Sequence, residues 1–152
     1  MERPNRLVVL TLCDQRYGLP LSAVERVVRM VEVTPLPKAP AIVLGVVNVQ
    51  GRVIPVVNMR RRFRLPERGI SLTDQLVIAH TARRPVALGA DAVIGVLEYS
   101  EQEVVGVQDI LPDVEYVEGV VKLRDGLILI HDLDKFLSLE EGAALDRAME
   151  SD

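Results

Sequence analysis

Short runs of valine, isoleucine and leucine follow one another along the chain, separated by glycines, prolines or charged pairs. Valine and isoleucine are branched at Cβ, which restricts their side chains in a helix and suits a pleated strand. About nine such runs at close spacing are typical of an all-β barrel or sandwich. No segment between them resembles the crossover helix of a parallel α/β sheet. The runs are 7–12, 27–33, 46–49, 53–57, 75–79, 85–89, 92–97, 116–123 and 127–130.

Glycine and proline positions predict how these strands connect. Gln50-Gly51 and Asp125-Gly126 each separate two apolar runs and predict hairpin turns, because glycine adopts positive φ at little cost. Three prolines within residues 34–41 remove backbone donors, which predicts an extended connector. Pro55 lies inside an apolar run and predicts an edge strand or a bulge at that position.

Helical segments are predicted to be few and short. Residues 59–63 fit a single turn. A helix-prone tail begins at residues 132–136, carries a second capping signal at 138–141 and continues through 143–149. We therefore expect one domain over residues 6–139 and a C-terminal helical tail over residues 140–152.

The length of 152 residues suits one compact domain. The apolar runs all fall short of the roughly 18 residues that a membrane span needs, and the first residues carry no export signal. The single cysteine, Cys13, cannot form an internal disulfide, which agrees with a reducing compartment. These features predict a cytoplasmic protein.

Charge is distributed unevenly along the chain. The net charge is −4, but residues 1–68 sum to +7 and residues 69–152 to −11. If the two halves of the chain also separate in space, this asymmetry predicts two electrostatically distinct faces and an oriented assembly with other proteins.

The sequence offers little chemistry for catalysis. His80 and His131 each end an apolar run without a second histidine or cysteine at a metal-ligand spacing. Cys13 precedes an acidic residue, which disfavours a reactive thiolate. No nucleophile elbow, zinc-binding helix or phosphate-binding loop is present. We expect no enzyme activity, no cofactor and no metal site.

A cluster of arginines at residues 60–64 keeps a nucleic-acid-binding β-barrel open as a distant alternative. Barrels that bind single strands stack bases on aromatic side chains, and this chain has five Phe and Tyr residues and no Trp. The acidic isoelectric point near 5.3 also opposes the alternative. A protein-interaction module fits these properties better.

An ordered set of segments resembles the CheW-like coupling-protein family of bacterial chemotaxis. The segments lie between about Arg6 and Leu139, which is nearly the whole chain. They are 17–21, Val24, 33–37, 45–48, Gly51, 53–57, 60–63, 75–79, 91–93, 119–123, 127–130 and 132–137.

This resemblance implies an all-β fold of two interlocked, five-stranded, SH3-like β-barrels with a short C-terminal helix. It also implies a non-enzymatic adaptor that joins the cytoplasmic tips of chemoreceptors to the regulatory domain of a CheA-type histidine kinase. Such an adaptor is a monomer alone, enters larger arrays, and reaches the membrane only through receptors. A CheW-like scaffold in a chemosensory-like pathway with a non-flagellar output is the alternative within the family.

The resemblance also implies two protein-binding surfaces. The receptor groove comprises Val24, Arg26, Val27, Gly45, Val47, Asn48 and Gln50, although Val24 and Val27 also fit a barrel core and Gly45 a turn. The kinase interface comprises Pro55, Asn58, Arg60, Arg61 and Arg62. Reversing the charge of Arg61 and Arg62 is expected to weaken kinase binding with little effect on stability.

Three departures from the family pattern fall in these surfaces. The family usually has an acid where this chain has Arg26, an arginine where it has Gln50, and Asp-Leu-Arg at 58–60 where it has Asn-Met-Arg. A neutral glutamine does not replace an arginine with five fixed donors. We therefore expect a specialised coupling protein that is matched to its own partner.

Overall fold

A computed structural model describes residues 5–105, 117–123, 126–135 and 137–150. Its eleven described strands are β1 (Asn5–Leu12), β2 (Gln15–Pro20), β3 (Val24–Arg29), β4 (Val43–Val49), β5 (Arg52–Val57), β6 (Gln75–His80), β7 (Pro85–Ala90), β8 (Ala92–Tyr99), β9 (Val104–Val105), β10 (Val117–Leu123) and β11 (Gly126–His131). The α-helices are α1 (Met59–Arg62) and α2 (Leu139–Glu150), and 3₁₀ turns span Leu21–Ala23, Glu101–Glu103 and Leu133–Lys135.

The strands form two sheets that are interlocked by an insertion. The first sheet has the order β8-β1-β2-β11-β10-β9, and the second has the order β3-β6-β7-β5-β4. All strands of the second sheet come from one continuous stretch, which is inserted between β2 and β8 of the first. The prediction of an all-β fold with two SH3-like subdomains is confirmed, although the first sheet has six strands because it includes the two-residue β9.

Three groups of buried side chains hold the sheets together. One group packs inside the curved first sheet, and a second group packs inside the second sheet. The third and largest group lies between the sheets and includes side chains of both. In β6, Leu76 and Ile78 face the interior of the second sheet, whereas Val77 and Ala79 face the shared core. A strand that is buried on both faces reads as a continuous apolar run, which explains why the sequence pattern does not alternate here.

The second sheet closes into a barrel through the connector that follows β3. Thr34 pairs with Val46 of β4, and each backbone amide donates to the other residue's carbonyl at 2.8 Å. Gly45 makes this approach possible, because a Cβ there would lie 2.3 Å from the Thr34 carbonyl oxygen and its φ is +153°. This contact gives a physical basis to the alternative in which Gly45 has a structural role rather than a role in binding.

The hairpin prediction at Gln50-Gly51 is confirmed. Both residues have positive φ, 51° and 83°, as the turns that match the strand twist require. The Asn48 side-chain oxygen also accepts a 2.9 Å hydrogen bond from the Gly51 amide. Of the second predicted turn, Asp125 lies outside the described residues, and Gly126 begins β11.

Two strand predictions need correction. The run predicted at 27–33 becomes β3 at Val24–Arg29, because its pairing with β6 ends at Arg29. Pro55 is not on an edge strand, since β5 lies between β7 and β4. The alternative of a bulge is met only nearby, because the pairing with β4 shifts between Val43 and Gly45, opposite Val57 and Val56, whereas Pro55 itself pairs with Val46. The proline is tolerated because pairing with β7 begins only at Val56, so at Pro55 the strand pairs with β4 alone.

The C-terminal helix packs against the body of the protein. The predicted capping signal is confirmed: the Glu141 amide donates to Ser138 Oγ at 3.0 Å, and the Ser138 amide donates to Glu141 Oε1 at 2.8 Å. Leu145 and Ala148 are buried in the shared core. Part of the segment that the sequence suggests as a tail therefore contributes to the packing of the domain.

Candidate protein-binding site

The first candidate surface lies where β3 meets the tip of the β4–β5 hairpin, at the mouth of the second barrel. Arg26 Nη1 donates to Gln50 Oε1 at 2.7 Å. Beside this pair, Glu25 accepts a hydrogen bond from Arg52 and lies 3.1 Å from His80 Nε2. Two of the three departures from the family pattern, Arg26 and Gln50, are thus direct neighbours.

A local irregularity in β3 sets this arrangement. The pairing register with β6 shifts between Val24 and Arg26, so Glu25 is an extra residue on the β3 side. Glu25 and Arg26 both reach the hairpin as a result. The hydrogen bond from Arg52 lowers the pKa of the Glu25 carboxyl and favours its charged form.

The remaining residues of the predicted receptor groove differ in their solvent exposure. Val27 is 37% exposed, and Asn48 is exposed beside the turn. Val24 is half-buried against the shared core, and Val47 is 1% exposed inside the barrel. The exposed groove residues are therefore Arg26, Val27, Asn48 and Gln50, whereas Gly45 and Val47 shape the barrel behind them.

The second candidate surface surrounds α1, at the opposite end of β5. The Asn58 side chain caps this helix by accepting the Arg61 amide at 3.1 Å, and it donates to Glu67 Oε1 at 2.8 Å. Arg61 is exposed. Of the five residues predicted for the kinase interface, Arg61 is the one whose charge faces solvent without an ion pair in the described part of the chain.

Arg60 belongs to a network around Asp91 at the start of β8. The Asp91 carboxylate accepts hydrogen bonds from Arg60, from Arg68 at 2.6 Å and from the Cys13 amide at 3.0 Å. Burial opposes ionisation of this carboxyl, but the three donors outweigh it and hold its pKa below the ordinary value. Asp91 belongs to the segment 91–93 that carries the family resemblance, but its contacts with Arg60 and Arg68 were not predicted, because no local pattern marks contacts this far apart along the chain.

Arg62 is tied to the C-terminal helix. Its side chain is 11% exposed, and Nη2 donates to Glu141 Oε1 at 2.7 Å. This contact argues against the expectation that reversing the charge of Arg62 together with Arg61 would spare stability, and we expect Arg62 to have a structural role. Pro55 is buried as well. Whether these residues contact a kinase stays a prediction.

The arginine cluster offers a poor surface for nucleic acid. Arg60 and Arg62 are neutralised by Asp91 and Glu141, so only Arg61 and Arg64 of the four carry exposed positive charge. Phosphate binding depends on the number of cations that can meet the backbone. The structure therefore weakens the nucleic-acid alternative.

The two histidines have different surroundings. His80 contacts Glu25 at the barrel mouth. His131 is 1% exposed and packs against the rings of Tyr17 and Phe63, with ring centroids 4.8 and 4.7 Å away. Burial lowers the pKa of His131 to about 3, so the ring is neutral at physiological pH. Among the described residues, no group of three or more His, Cys, Asp or Glu side chains could hold a metal ion.

Within the described ranges, no helix is both long and apolar enough to span a membrane. The fold and the two surfaces define a protein of two SH3-like β-barrel subdomains with separate exposed polar patches. Residues 6–141 match the model of the CheW-like domain, and the chain belongs to that family of chemotaxis scaffolds.

Individual relatives agree with this assignment. The chemotaxis protein CheW of Rhizobium meliloti is 30% identical over 142 residues, 92% of each chain. CheW of Thermotoga maritima is 32% identical over 130 residues, 82% of each chain. Protein FrzA of Myxococcus xanthus is 31% identical over 116 residues, 72% of this chain and 69% of FrzA. The crystal structure of the scaffolding protein TtCheW from Thermoanaerobacter tengcongensis superposes with a TM-score of 0.83 at 29% identity, covering 91% of this chain and 96% of TtCheW.

Proposed function

We propose that this chain is a non-enzymatic cytoplasmic adaptor in chemotaxis signal transduction. It binds the cytoplasmic tip of a chemoreceptor at the barrel mouth and the regulatory domain of a CheA-type histidine kinase at the α1 surface. Family membership over residues 6–141 supports the role of scaffold. No cofactor takes part.

One geometric observation carries the proposal. The hairpin tip precedes β5 and α1 follows it, so the two candidate surfaces lie at opposite ends of the same strand. Six residues of strand separate them by about 20 Å. Two partners can therefore bind at the same time without competing for one surface, as an adaptor requires.

A three-component binding experiment tests the proposal with a receptor cytoplasmic fragment and a kinase regulatory domain. Val27→Glu places a charge on the exposed part of the barrel mouth and should weaken receptor binding at least tenfold while sparing kinase binding. Arg61→Glu should do the reverse. Lys122→Glu, an exposed charge reversal on the first sheet, is the matched control and should change neither.

Two results would contradict the proposal. One is an unchanged affinity of both variants for both partners. The other is a loss of both affinities in each variant without a change in thermal stability, since separate surfaces should be separable by mutation.

A chemosensory-like pathway with a non-flagellar output is the second candidate. The match to FrzA, a relative that does not carry the name of a chemotaxis protein, favours it. Deleting the gene and scoring flagellar swimming against surface movement distinguishes the two outputs.

A further inference from the structure

The polar groups at the barrel mouth are unequally satisfied. Both carboxylate oxygens of Glu25 are engaged, Oε1 by Arg52 and Oε2 by His80. The acid that is nearest to Arg26 in the chain is therefore occupied by other groups. Arg26 donates to the neutral side chain of Gln50 and forms no ion pair among the described residues; its charge acts on Glu25 only as the smallest of the causes that lower the pKa of that carboxyl.

The contact between Arg26 and Gln50 leaves donors pointing outward. Gln50 accepts through Oε1, so its amide NH₂ group faces away from Arg26. The guanidinium donates one hydrogen bond through Nη1 and keeps its other N–H groups for solvent. Together the two side chains offer several N–H donors and one positive charge, next to the exposed apolar surface of Val27.

A carboxylate is the ligand that this combination fits. It accepts several hydrogen bonds and supplies a negative charge in direct contact with Arg26, and charge-assisted bonds are the stronger ones. Gln50 is held in place by the Gln50-Gly51 turn, which is itself fastened by Asn48. The turn fixes the backbone at Gln50, and the hydrogen bond between Gln50 and Arg26 restrains both side chains before a partner arrives, which lowers the entropic cost of binding.

We propose that Arg26 and Gln50 form a carboxylate-recognition pair that selects the partner at the barrel mouth. The preferred partner is an amphipathic helical hairpin that carries Glu or Asp beside an apolar residue that packs on Val27. This inference rests on the proposed function, because it assumes that a receptor-type hairpin binds at this surface.

The test uses a displayed library of chemoreceptor-tip hairpins in which the exposed positions vary among Glu, Gln and Lys. Wild-type protein should enrich Glu over Lys about tenfold at one position adjoining an apolar residue, as expected for a charge-assisted hydrogen bond. Arg26→Gln should abolish this preference. The variant Arg26→Glu, which reverses the charge and leaves Gln50 in place, should invert it toward Lys.

Arg29→Gln is the matched control, because it removes the same charge from an exposed position of the same strand. It should retain the preference for Glu. Thermal melting of each variant establishes that it is folded, and if Arg26→Glu does not fold, Arg26→Gln alone decides the question.

Three results would overturn the inference. Equal recovery of Glu and Lys by wild-type protein excludes a carboxylate preference. An equal loss in Arg26→Gln and Arg29→Gln reduces the effect to general electrostatics. Failure of wild-type protein to enrich any hairpin overturns receptor binding at this surface and the inference with it, whereas enrichment without a charge preference overturns the inference alone.

Discussion

His131 should make the stability of this fold depend on pH between 5 and 7. Its imidazole is 1% exposed at the end of β11 and lies against the rings of Tyr17 and Phe63. Burial lowers its pKa from 6.5 to about 3. The perturbation that isolates this effect is His131→Gln, which removes the titrating group and keeps a polar side chain.

The size of the effect follows from proton linkage. Between pH 6.5 and about pH 3 the unfolded chain binds a proton at this histidine and the folded protein does not, so stability falls as pH falls. The free energy of unfolding decreases by about 1.4 kcal/mol for each pH unit below 6.5, which gives a loss of about 2 kcal/mol at pH 5 relative to neutral pH. For a chain of this size that is a decrease in Tm of about 4–8 °C.

Urea unfolding at pH 7, 6 and 5, followed by circular dichroism, measures this slope. His131→Gln should lose the slope, although its stability at pH 7 is expected to be lower than that of the wild type. His80→Gln, which changes the exposed histidine, is the control and should keep it. A wild-type free energy of unfolding that is equal at pH 7 and pH 5 would refute the reasoning.

Three further predictions concern stability, each with a matched variant and each measured by urea unfolding. Arg62→Ala should lower the free energy of unfolding by about 1–3 kcal/mol, because it leaves Glu141 without its cation. Arg61→Ala should lower it by less than about 0.5 kcal/mol, and equal losses in the two variants would contradict the different roles assigned to these arginines. Gly45→Ala should lower the free energy of unfolding by about 3 kcal/mol or more, because the new Cβ meets the Thr34 carbonyl. Gly51→Ala, at a turn with open space around it, should lower it by about 1 kcal/mol. The reverse order would argue against barrel closure through the pairing of Thr34 with Val46. Asp91→Asn should lower the free energy of unfolding by about 2 kcal/mol. Glu98→Gln, which changes an exposed ion pair with Arg6, should lower it by less than about 0.5 kcal/mol. An Asp91→Asn variant as stable as the wild type would show that the network around Asp91 is dispensable.

Much of the fold could be predicted because its signals are local. The apolar runs, the Gln50-Gly51 turn and the capping signal at Ser138 each depend on residues a few positions apart. The turn and the cap are confirmed, and the described runs form strands with the exception of 27–33, whose strand begins and ends earlier. The position of β5 could not be predicted from Pro55, because a missing donor excludes only a paired amide and does not tell which strand the residue faces.

The candidate site was less predictable because its contacts are distant in sequence. Gln50 and Arg26 could be singled out individually, but their hydrogen bond depends on how the barrel closes. Arg52 could have been suspected, since it directly follows the hairpin glycine and a residue there is close to the barrel rim. Arg60 and Arg62 look like solvent-exposed charges in the sequence, and only their partners far along the chain reveal otherwise.

Those distant partners also change the meaning of the charge asymmetry between the halves of the chain. Cations of the first 68 residues pair with acids of the later residues, as in Arg6–Glu98, Arg60–Asp91 and Arg62–Glu141. Because the second sheet is inserted into the first, such pairs join segments that the topology interleaves. These pairs neutralise part of the +7 and of the −11 within the domain, so the charge difference along the sequence does not translate directly into one basic and one acidic face. Among the cations that remain exposed, Arg26 lies beside the hairpin tip and Arg61 lies in α1, so the two ends of β5 each present a positive charge where a partner is proposed to bind.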